Sequence, residues 1–279
     1  MTHATLITAD ELQALRRSAA PLVLLDCGFD LADPAAGERA WAAGHLPGAQ
    51  YAHLDRDLSG RKTGRNGRHP LPDRADFAAT AGRWGIEPGV QVVCYDDQGS
   101  PYAARAWWLL RWLGHREVAV LDGGRAAWCS AGGELTDGAN IVRPTAPYPA
   151  RDAAMPTIAA DELLAALGRV RLVDARAGER FRGEVEPLDA VAGHIPGATH
   201  RFFKDNLQPD GRFKPAAVLR AEFDAWGDAP ARVVHQCGSG VTACHNLLAM
   251  AHAGLEGSTL YAGSWSEWCS DPARPVARG

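Results

Sequence analysis

The stretch GHIPGA, residues 193–198, decides the fold because it repeats GHLPGA, residues 44–49, with one conservative change. Three more blocks recur in the same order: LVLLD ending at Asp26 with RLVD ending at Asp174, VQVVCYD ending at Asp96 with ARVVHQC ending at Cys237, and LDGGRAAW (121–128) with YAGSWSEW (261–268). The offset between paired blocks drifts only from 149 to 140 residues. This pattern indicates tandem duplication of a unit of about 125 to 140 residues, well above the period of solenoid repeats.

Each half alternates short apolar runs with segments of helical period. The runs lie at 22–25, 90–93, 118–121, 170–173 and 232–234, and the helical segments at 9–17, 102–113, 161–167 and 242–253. Continuous apolar runs fit strands that are buried on both faces, so we expect an α/β fold with a mostly parallel sheet flanked by helices in each half. The predicted domains are residues 1–138 and 156–279, joined by a linker at 139–155 that is rich in Gly, Pro and Ala.

Composition excludes several classes of function. The net charge of −4 and a pI near 6.2, without any basic run, argue against nucleic acid as a partner. The sequence has neither a leader pattern nor an apolar stretch of about 18 residues, so we expect no membrane association and a cytoplasmic location. The six cysteines lack the close spacing of structural zinc sites. Free thiols are therefore expected, with no metal and no cofactor.

The two halves differ at one strand end. Features that both halves share are most simply structural, whereas a feature of one half is a candidate for chemistry. The first half has Asp96 in DDQGSPYAA, and the second has Cys237 in CGSGVTA. Gly238 and Gly240 allow a tight turn, so successive N–H groups can converge on Cys237 Sγ near a helix start. A helix N-terminus stabilises an anion by about 0.3–1 kcal/mol, or up to about 2 kcal/mol where the anion is partly buried, so converging donors or a cation must add to it.

Arginines accompany the half that carries the cysteine. The stretch 175–183 contains Arg176, Arg180 and Arg182, whereas its counterpart at 27–34 contains none. A solvated arginine face is the alternative interpretation for any one of them. The asymmetry between the halves nevertheless predicts an anionic substrate beside the cysteine.

These residues together resemble the two-domain rhodanese-family sulfurtransferases, and the resemblance covers nearly the whole chain. The motifs that carry it are GHLPGA, GHIPGA, DGGRAAW, GSWSEW, the Asp-for-Cys first copy and the loop CGSGVT. CGSGVT is similar to the loop of 3-mercaptopyruvate sulfurtransferases, whereas thiosulfate-preferring relatives more often carry basic residues there. The resemblance implies two parallel-sheet domains, of which only the second is catalytic.

The resemblance also implies a reaction. The Cys237 thiolate would attack the sulfur of a small anionic donor, 3-mercaptopyruvate or thiosulfate, and become a persulfide. A thiol, cyanide or a thioredoxin-like acceptor would then take the outer sulfur. The implied substrate-binding residues are Gly238, Gly240, Val241 and Thr242 of the loop, together with Arg180, which matches a family arginine for the donor's anionic end, and Arg182 as its weaker companion.

Three further positions match a relay that is proposed in the family to assist the leaving group. They are Ser239 in the loop, His69 in RHPLP and Asp55 in HLDRD. The alternative interpretation is a small loop residue, a surface histidine and a turn cap.

Two positions depart from the family pattern. The mercaptopyruvate enzymes usually add an arginine after a Glu-Pro pair, but Glu186-Pro187 is followed here by Leu188. Losing an Arg–carboxylate contact of about 1.5–3 kcal/mol would weaken the preference for mercaptopyruvate by about 10- to 100-fold, unless another cation compensates. The usual Asp before GSW is Ala262, which removes a possible brace of the loop.

Other functions fit less well. A cysteine-dependent phosphatase needs an arginine that closes the loop on phosphate, and position 243 is alanine. A thiosulfate-preferring rhodanese remains an alternative. So does a sulfur carrier, which would also use Cys237 but would form the persulfide without multiple turnover.

Overall fold

The computed structural model describes residues 2–18, 20–138, 140 and 142–279. The chain divides into two compact units. Unit 1 contains the residues up to Ser59, Pro72–Ala154 and Pro209–Phe213, and unit 2 contains Gly60–Leu71, Met155–Gln208 and Lys214–Gly279. A short segment from each half of the sequence, 60–71 and 209–213, therefore packs in the unit formed mainly by the other half. The sequence boundaries at 138 and 156 stay a prediction.

Unit 1 contains a five-stranded parallel sheet with the order β1-β5-β4-β2-β3. The strands are β1 (Leu6–Ile7), β2 (Leu22–Asp26), β3 (Ala49–Tyr51), β4 (Gln91–Tyr95) and β5 (Val118–Leu121). The helices are α1 (Ala9–Arg17), α2 (Ala36–Ala43), α3 (Arg74–Arg83), α4 (Pro101–Trp112) and α5 (Gly124–Ser130). Predicted strands correspond to β2, β4 and β5, and predicted helices to α1 and α4.

Unit 2 contains a four-stranded parallel sheet with the order β7-β6-β8-β9. The strands are β6 (Arg171–Asp174), β7 (Thr199–His200), β8 (Val233–Gln236) and β9 (Thr259–Leu260). The helices are α6 (Ala160–Ala166), α7 (Gly178–Arg182), α8 (Ala216–Asp224), α9 (Thr242–His252) and α10 (Ser264–Trp268), with 3-10 turns at Phe203–Asn206 and Pro230–Arg232. Predicted strands correspond to β6 and β8, and predicted helices to α6 and α9.

The two sheets explain the apolar runs in the sequence. Every residue of β4 and of β8 is buried, as expected for the middle strands of a parallel sheet that is covered on both faces. The α/β fold class with a duplicated unit is confirmed.

Parallel pairing brings the carboxyl ends of neighbouring strands to one edge of the sheet. In unit 2, Asp174 at the end of β6 pairs with Gln236 at the end of β8. The loop that follows β8 is the CGSGVT stretch, and it leads directly into α9. Residues at such an edge commonly form binding sites in α/β proteins. Among the residues the structure describes, no helix has both the length and the apolar character needed to span a lipid bilayer.

Candidate active site

Cys237 is the first residue after β8 and is almost fully buried, with 2% of its surface exposed. The main-chain N–H of Gly240 donates to its Sγ at 3.1 Å, and the N–H of Ser239 lies at 3.5 Å. Gly240 makes this geometry possible, because its φ of +77° lies in the left-handed region that favours glycine. The sulfur also lies near the N-terminal end of α9, where the helix dipole favours negative charge. The loop therefore forms a cup of N–H groups around one thiol.

The backbone on both sides of Cys237 is held by the start of α10. The Cys237 N–H donates to Ser264 Oγ at 3.0 Å, and the Cys237 carbonyl accepts from Trp265 N at 2.9 Å. Ser266 N donates to the Gly238 carbonyl at 3.0 Å. Ser264, Trp265 and Ser266 thus hold the loop, although Ala262 has no carboxylate with which to do so.

Ser264 has an unusual backbone for a residue with a side chain. Its φ is +54°, whereas its counterpart in the first copy is Gly124, with a φ of +59°. The strain is retained because the Ser264 hydroxyl, which donates to the Tyr261 carbonyl, accepts the buried N–H of Cys237. Sequence reasoning missed this residue, although the Ser-for-Gly difference between the copies was a visible signal.

Removing the Ser264 hydroxyl should lower activity through the position of Cys237. Ser264→Ala leaves a buried N–H unsatisfied, at a cost of about 1–3 kcal/mol, and keeps the backbone strain. Ser264→Gly loses the same bond but relieves the strain. We expect both variants to lose about tenfold in turnover and in the alkylation rate of Cys237, with the Ala variant melting lower. Wild-type alkylation and turnover in Ser264→Gly would show that the hydroxyl does not position the cysteine.

The loop of the first copy is filled by its own side chain. The Asp96 carboxylate accepts four main-chain N–H groups within 2.9 Å: those of Gln98 and Ser100 at Oδ1, and those of Tyr102 and Ala103 at Oδ2. Burial raises the pKa of Asp96 to about 6, and the four N–H donors oppose this rise. The loop of unit 1 therefore encloses the carboxylate of its own Asp96, at the position that Cys237 occupies in unit 2.

His69 and Ser239, both predicted relay residues, lie in contact within unit 2. His69 Nδ1 is 2.7 Å from Ser239 Oγ, and both side chains are buried. This hydrogen bond holds a proton between the two side chains, and Ser239 is two residues from Cys237 in the chain. Asp55 belongs to unit 1, where its main-chain N–H donates to His53 Nδ1 at 3.1 Å. Its place in the relay stays a prediction.

A cluster of two arginines and two carboxylates lies beside the loop. Arg180 donates to Glu186 at 2.6 Å and to Asp189 at 3.4 Å, and Arg68 pairs with the other oxygen of Asp189. Both guanidinium groups approach Gly238, the residue next to Cys237. A Cβ at Gly238 would lie 3.3 Å from Arg180 Nη1 and 2.8 Å from Arg68 Nη2.

Comparison with known proteins agrees with this geometry. The Rhodanese-like domain family matches residues 8–131 and 159–271. The chain belongs to the rhodanese family. It is 52% identical to a probable 3-mercaptopyruvate sulfurtransferase of Pseudomonas aeruginosa over the whole of both chains. It is 44% identical to a putative thiosulfate sulfurtransferase of Mycobacterium tuberculosis, covering 98% of this chain and 97% of that one.

A solved structure extends the similarity from sequence to fold. The 3-mercaptopyruvate sulfurtransferase from Leishmania major superposes with a TM-score of 0.82 at 31% identity, covering 95% of this chain and 74% of that one. The duplicated α/β fold of this chain is therefore that of a sulfurtransferase that it also resembles in sequence.

The remaining arginines of the predicted site, Arg176 and Arg182, have different surroundings. Arg176 is buried and donates to Asp174 through two nitrogens and to the Gly193 carbonyl at 2.8 Å, so it connects the end of β6 to the GHIPGA loop. Arg182 is about half exposed and pairs with Glu184. Its role as a companion of Arg180 stays a prediction. Leu188 is 43% exposed at the surface.

The residues that follow Gly240 complete the loop. Val241 is buried immediately before α9, and Thr242 is the first residue of that helix. Cys244, two residues further along α9, is buried and donates from Sγ to the Gly240 carbonyl at 3.2 Å. No group of three or more potential metal ligands occurs among the described residues.

Two other thiols lie in surroundings that disfavour a thiolate. Burial raises the pKa of Cys27 well above its ordinary range, and burial also raises the pKa of Cys269 to about 11. Cys237, in contrast, has two main-chain N–H groups directed at its sulfur.

Proposed function

We propose that this protein is a sulfurtransferase that moves sulfane sulfur from 3-mercaptopyruvate to a thiophilic acceptor through a persulfide at Cys237. The observation that carries the proposal is the cup of N–H groups around Cys237 Sγ at the edge of the unit 2 sheet. Names of the relatives from Pseudomonas aeruginosa and Leishmania major support the same donor. Unit 2 carries the chemistry in this proposal, and the loop of unit 1 is closed by Asp96.

The first half-reaction is nucleophilic attack on the donor sulfur. The Cys237 thiolate forms an S–S bond while the C–S bond of 3-mercaptopyruvate breaks, and the electron pair of that bond leaves with the three-carbon fragment as an enolate. The sulfur-bound proton of the donor balances the step, because pyruvate forms when the enolate carbon takes up one proton. Ser239 and His69, joined at 2.7 Å, are the proposed route for that proton, with Asp55 as the third member.

The second half-reaction regenerates the enzyme. An acceptor thiolate or cyanide attacks the outer sulfur, so the S–S bond breaks and its electron pair returns to Cys237 as a thiolate. The same N–H groups stabilise the thiolate and the persulfide anion. In unit 1 the longer Asp96 side chain reaches the N–H groups of Tyr102 and Ala103 in the first turn of α4. The first turn of α9 would meet the outer sulfur of a persulfide in the same way.

Thiosulfate is the second candidate donor. Leu188 stands where the mercaptopyruvate enzymes usually add an arginine, and the relative from Mycobacterium tuberculosis is named for thiosulfate. With thiosulfate the leaving group is sulfite, which departs as a stable anion without a proton. The two donors therefore place different demands on the Ser239–His69 pair.

The persulfide and the free thiol of Cys237 set requirements on the acceptor and on the cellular compartment. A persulfide passes its outer sulfur to a soft nucleophile, so we propose a small thiol, cyanide or a thioredoxin-like protein as the acceptor. A reduced cytoplasmic compartment would keep Cys237 available between turnovers, and we propose that location.

The proposal is tested by comparing kcat/KM for 3-mercaptopyruvate and thiosulfate in the wild-type protein and in Ser239→Ala. We expect the wild type to turn over repeatedly and to prefer 3-mercaptopyruvate. Ser239→Ala should lose about 10- to 100-fold with 3-mercaptopyruvate, which needs the proton, and much less with thiosulfate. Ser270→Ala, which changes an exposed serine in the same unit, is the matched control.

Three outcomes would count against parts of the proposal. A single turnover with either donor would indicate a sulfur carrier. A preference for thiosulfate would reverse the choice of donor. Equal losses with both donors in Ser239→Ala would refute the proton route.

A further inference from the structure

We infer that Ser266 is a positioning residue of this site, whose hydroxyl holds the segment that carries His69 in place for the contact with Ser239. The inference rests on the proposed function, in which His69 and Ser239 form the route for the proton. The segment, residues 60–71, comes from the first half of the sequence but packs within unit 2. Ser266 therefore acts through His69 and does not touch the donor.

The main chain and the side chain of Ser266 contact two different parts of the site. Its main-chain N–H donates to the Gly238 carbonyl at 3.0 Å, which fixes Ser266 to the cysteine loop. Its Oγ accepts the main-chain N–H of Arg68 at 3.0 Å and donates to the Gly263 carbonyl at 3.3 Å. Arg68 directly precedes His69, so one serine connects the cysteine loop to the segment on which the histidine lies.

The close approach of this segment to the start of α10 depends on a glycine. Gly67 has a φ of +82°, which lies in the left-handed region. A Cβ at Gly67 would lie 2.7 Å from the carbonyl oxygen of Gly263 and 3.3 Å from Ser266 Oγ. The absence of a side chain at Gly67 therefore lets the main chain come close enough for the Arg68 N–H to reach the hydroxyl.

The first copy contains a segment of the same kind. The Gly-Arg pair at 67–68 recurs at 211–212, and residues 209–213 pack within unit 1 although they come from the second half of the sequence. There the Asp122 carboxylate accepts the main-chain N–H of Phe213 at 2.8 Å. In each unit, a side chain therefore accepts a main-chain N–H from a segment that the other half of the sequence contributes.

The two acceptors occupy different positions in the two copies. Asp122 corresponds to Ala262, and Ser266 corresponds to Ala126, so neither acceptor is repeated in the other copy. The acceptor of unit 2 stands four positions later in its block than the acceptor of unit 1. Ser266 thus holds the segment in the copy that has alanine in place of the carboxylate.

The contact between His69 and Ser239 depends on where this segment lies. The two side chains are 3% and 7% exposed, and His69 Nδ1 lies 2.7 Å from Ser239 Oγ. A hydrogen bond weakens steeply when its distance and angle depart from the preferred range. Ser239 is part of the cysteine loop, whereas His69 is held through its own segment. Loss of the Ser266 hydroxyl would release the Arg68 N–H and let His69 move away from Ser239.

Ser266→Ala tests this role, because it removes the hydroxyl and keeps the main-chain N–H that binds the loop. Ser270→Ala is the matched control, since Ser270 is exposed and its hydroxyl also donates to the carbonyl three residues earlier. We expect Ser266→Ala to lose about tenfold in kcat with 3-mercaptopyruvate. Its KM, and its turnover of thiosulfate, should stay within about twofold of the wild type, which Ser270→Ala should match throughout.

Two further measurements separate the position of His69 from a general effect on the site. The alkylation rate of Cys237 should stay within about twofold of wild type in Ser266→Ala, in contrast to the tenfold loss expected for Ser264→Ala. In a Ser239→Ala background, Ser266→Ala should cost less than about twofold more, because the contact that it positions is already lost. A further tenfold loss in that background would overturn the inference, since Ser266 would then act elsewhere.

Hydrogen–deuterium exchange measures the contact itself and needs no sulfur transfer. The Arg68 N–H should exchange about tenfold faster in Ser266→Ala than in the wild type or in Ser270→Ala. A wild-type protein that transfers no sulfur defeats the proposed function, and the exchange rate still decides whether Ser266 holds the segment. Unchanged exchange of the Arg68 N–H, or faster exchange with a wild-type kcat, overturns the inference alone.

Ser266→Thr is the conservative variant, because it keeps a hydroxyl at the same position. It should keep the slow exchange of the Arg68 N–H and a kcat within about threefold of wild type. If Ser266→Ala does not fold, this variant decides. Retained slow exchange together with retained kcat supports the inference, whereas fast exchange with a wild-type kcat overturns it.

Discussion

Replacing Cys237 with serine is expected to abolish sulfur transfer and to leave the fold unchanged. The hydroxyl has nearly the shape of the thiol and accepts the same N–H groups from Ser239 and Gly240. A serine hydroxyl does not form a persulfide, so both half-reactions stop. We expect a loss of at least about 1,000-fold in turnover with either donor. The rate of thiocyanate or pyruvate formation measures it, with circular dichroism as the check of folding.

Cys129→Ser is the matched control for this experiment. Cys129 is an exposed free thiol in unit 1, so its loss should leave turnover at the wild-type value. Residual turnover in Cys237→Ser above the level of heat-treated protein would place the sulfur on another residue.

Gly240→Ala is expected to have the second largest effect, because it deforms the cup itself. A Cβ at Gly240 would lie 2.3 Å from the carbonyl oxygen of Ala262, which is backbone and cannot simply turn aside. The φ of +77° adds about 1–2 kcal/mol of strain for alanine. We expect the backbone to relieve this clash and this strain by moving the Gly240 N–H away from Cys237 Sγ. We expect kcat/KM to fall by about 100-fold or more and the melting temperature to drop.

Gly227→Ala separates strain from deformation of the loop. Gly227 has a φ of +72° in the same unit, and a Cβ there would meet nothing within 4 Å. This control should therefore lose stability through backbone strain alone and keep its turnover. A Gly240→Ala protein that behaves like the control in both measurements would argue against the cup as the source of reactivity.

Much of the site could be predicted because the chain contains two copies of one unit. The comparison singled out Cys237 against Asp96, and the structure shows what each side chain does in the same loop. Cys237 receives N–H groups at its sulfur, and Asp96 fills its own loop with a carboxylate. The asymmetry of charge between the halves indicated Arg176, Arg180 and Arg182 together, and the family resemblance singled out Arg180, which lies beside the loop in the structure.

Other site residues could not be predicted, because no sequence pattern records contacts between distant segments. Arg68 and Asp189 are 121 residues apart in the chain, and they meet because the segment 60–71 packs in unit 2. Ser264 is 27 residues from Cys237, whose N–H it accepts. An isolated arginine has many surface alternatives, so only the fold distinguishes Arg68. The Ser-for-Gly difference between the copies marks Ser264, but it does not reveal the contact with Cys237.

The short elements of the fold were missed for a related reason. β1, β7 and β9 have two residues each, too few to show a period, and they exist because a neighbouring strand offers hydrogen bonds. The longer buried strands, such as β4 and β8, carry continuous apolar runs that the sequence reveals. The end of the β8 run therefore predicts where the loop that carries Cys237 begins.

Mass spectrometry of the donor-treated protein shows directly whether Cys237 carries the transferred sulfur. The protein is incubated with 3-mercaptopyruvate without an acceptor, digested without reductant and mapped peptide by peptide. We expect the Cys237 peptide to gain the mass of one sulfur atom and to lose it again when cyanide is added. An unmodified Cys237 peptide, or sulfur carried by a different cysteine, would contradict this expectation.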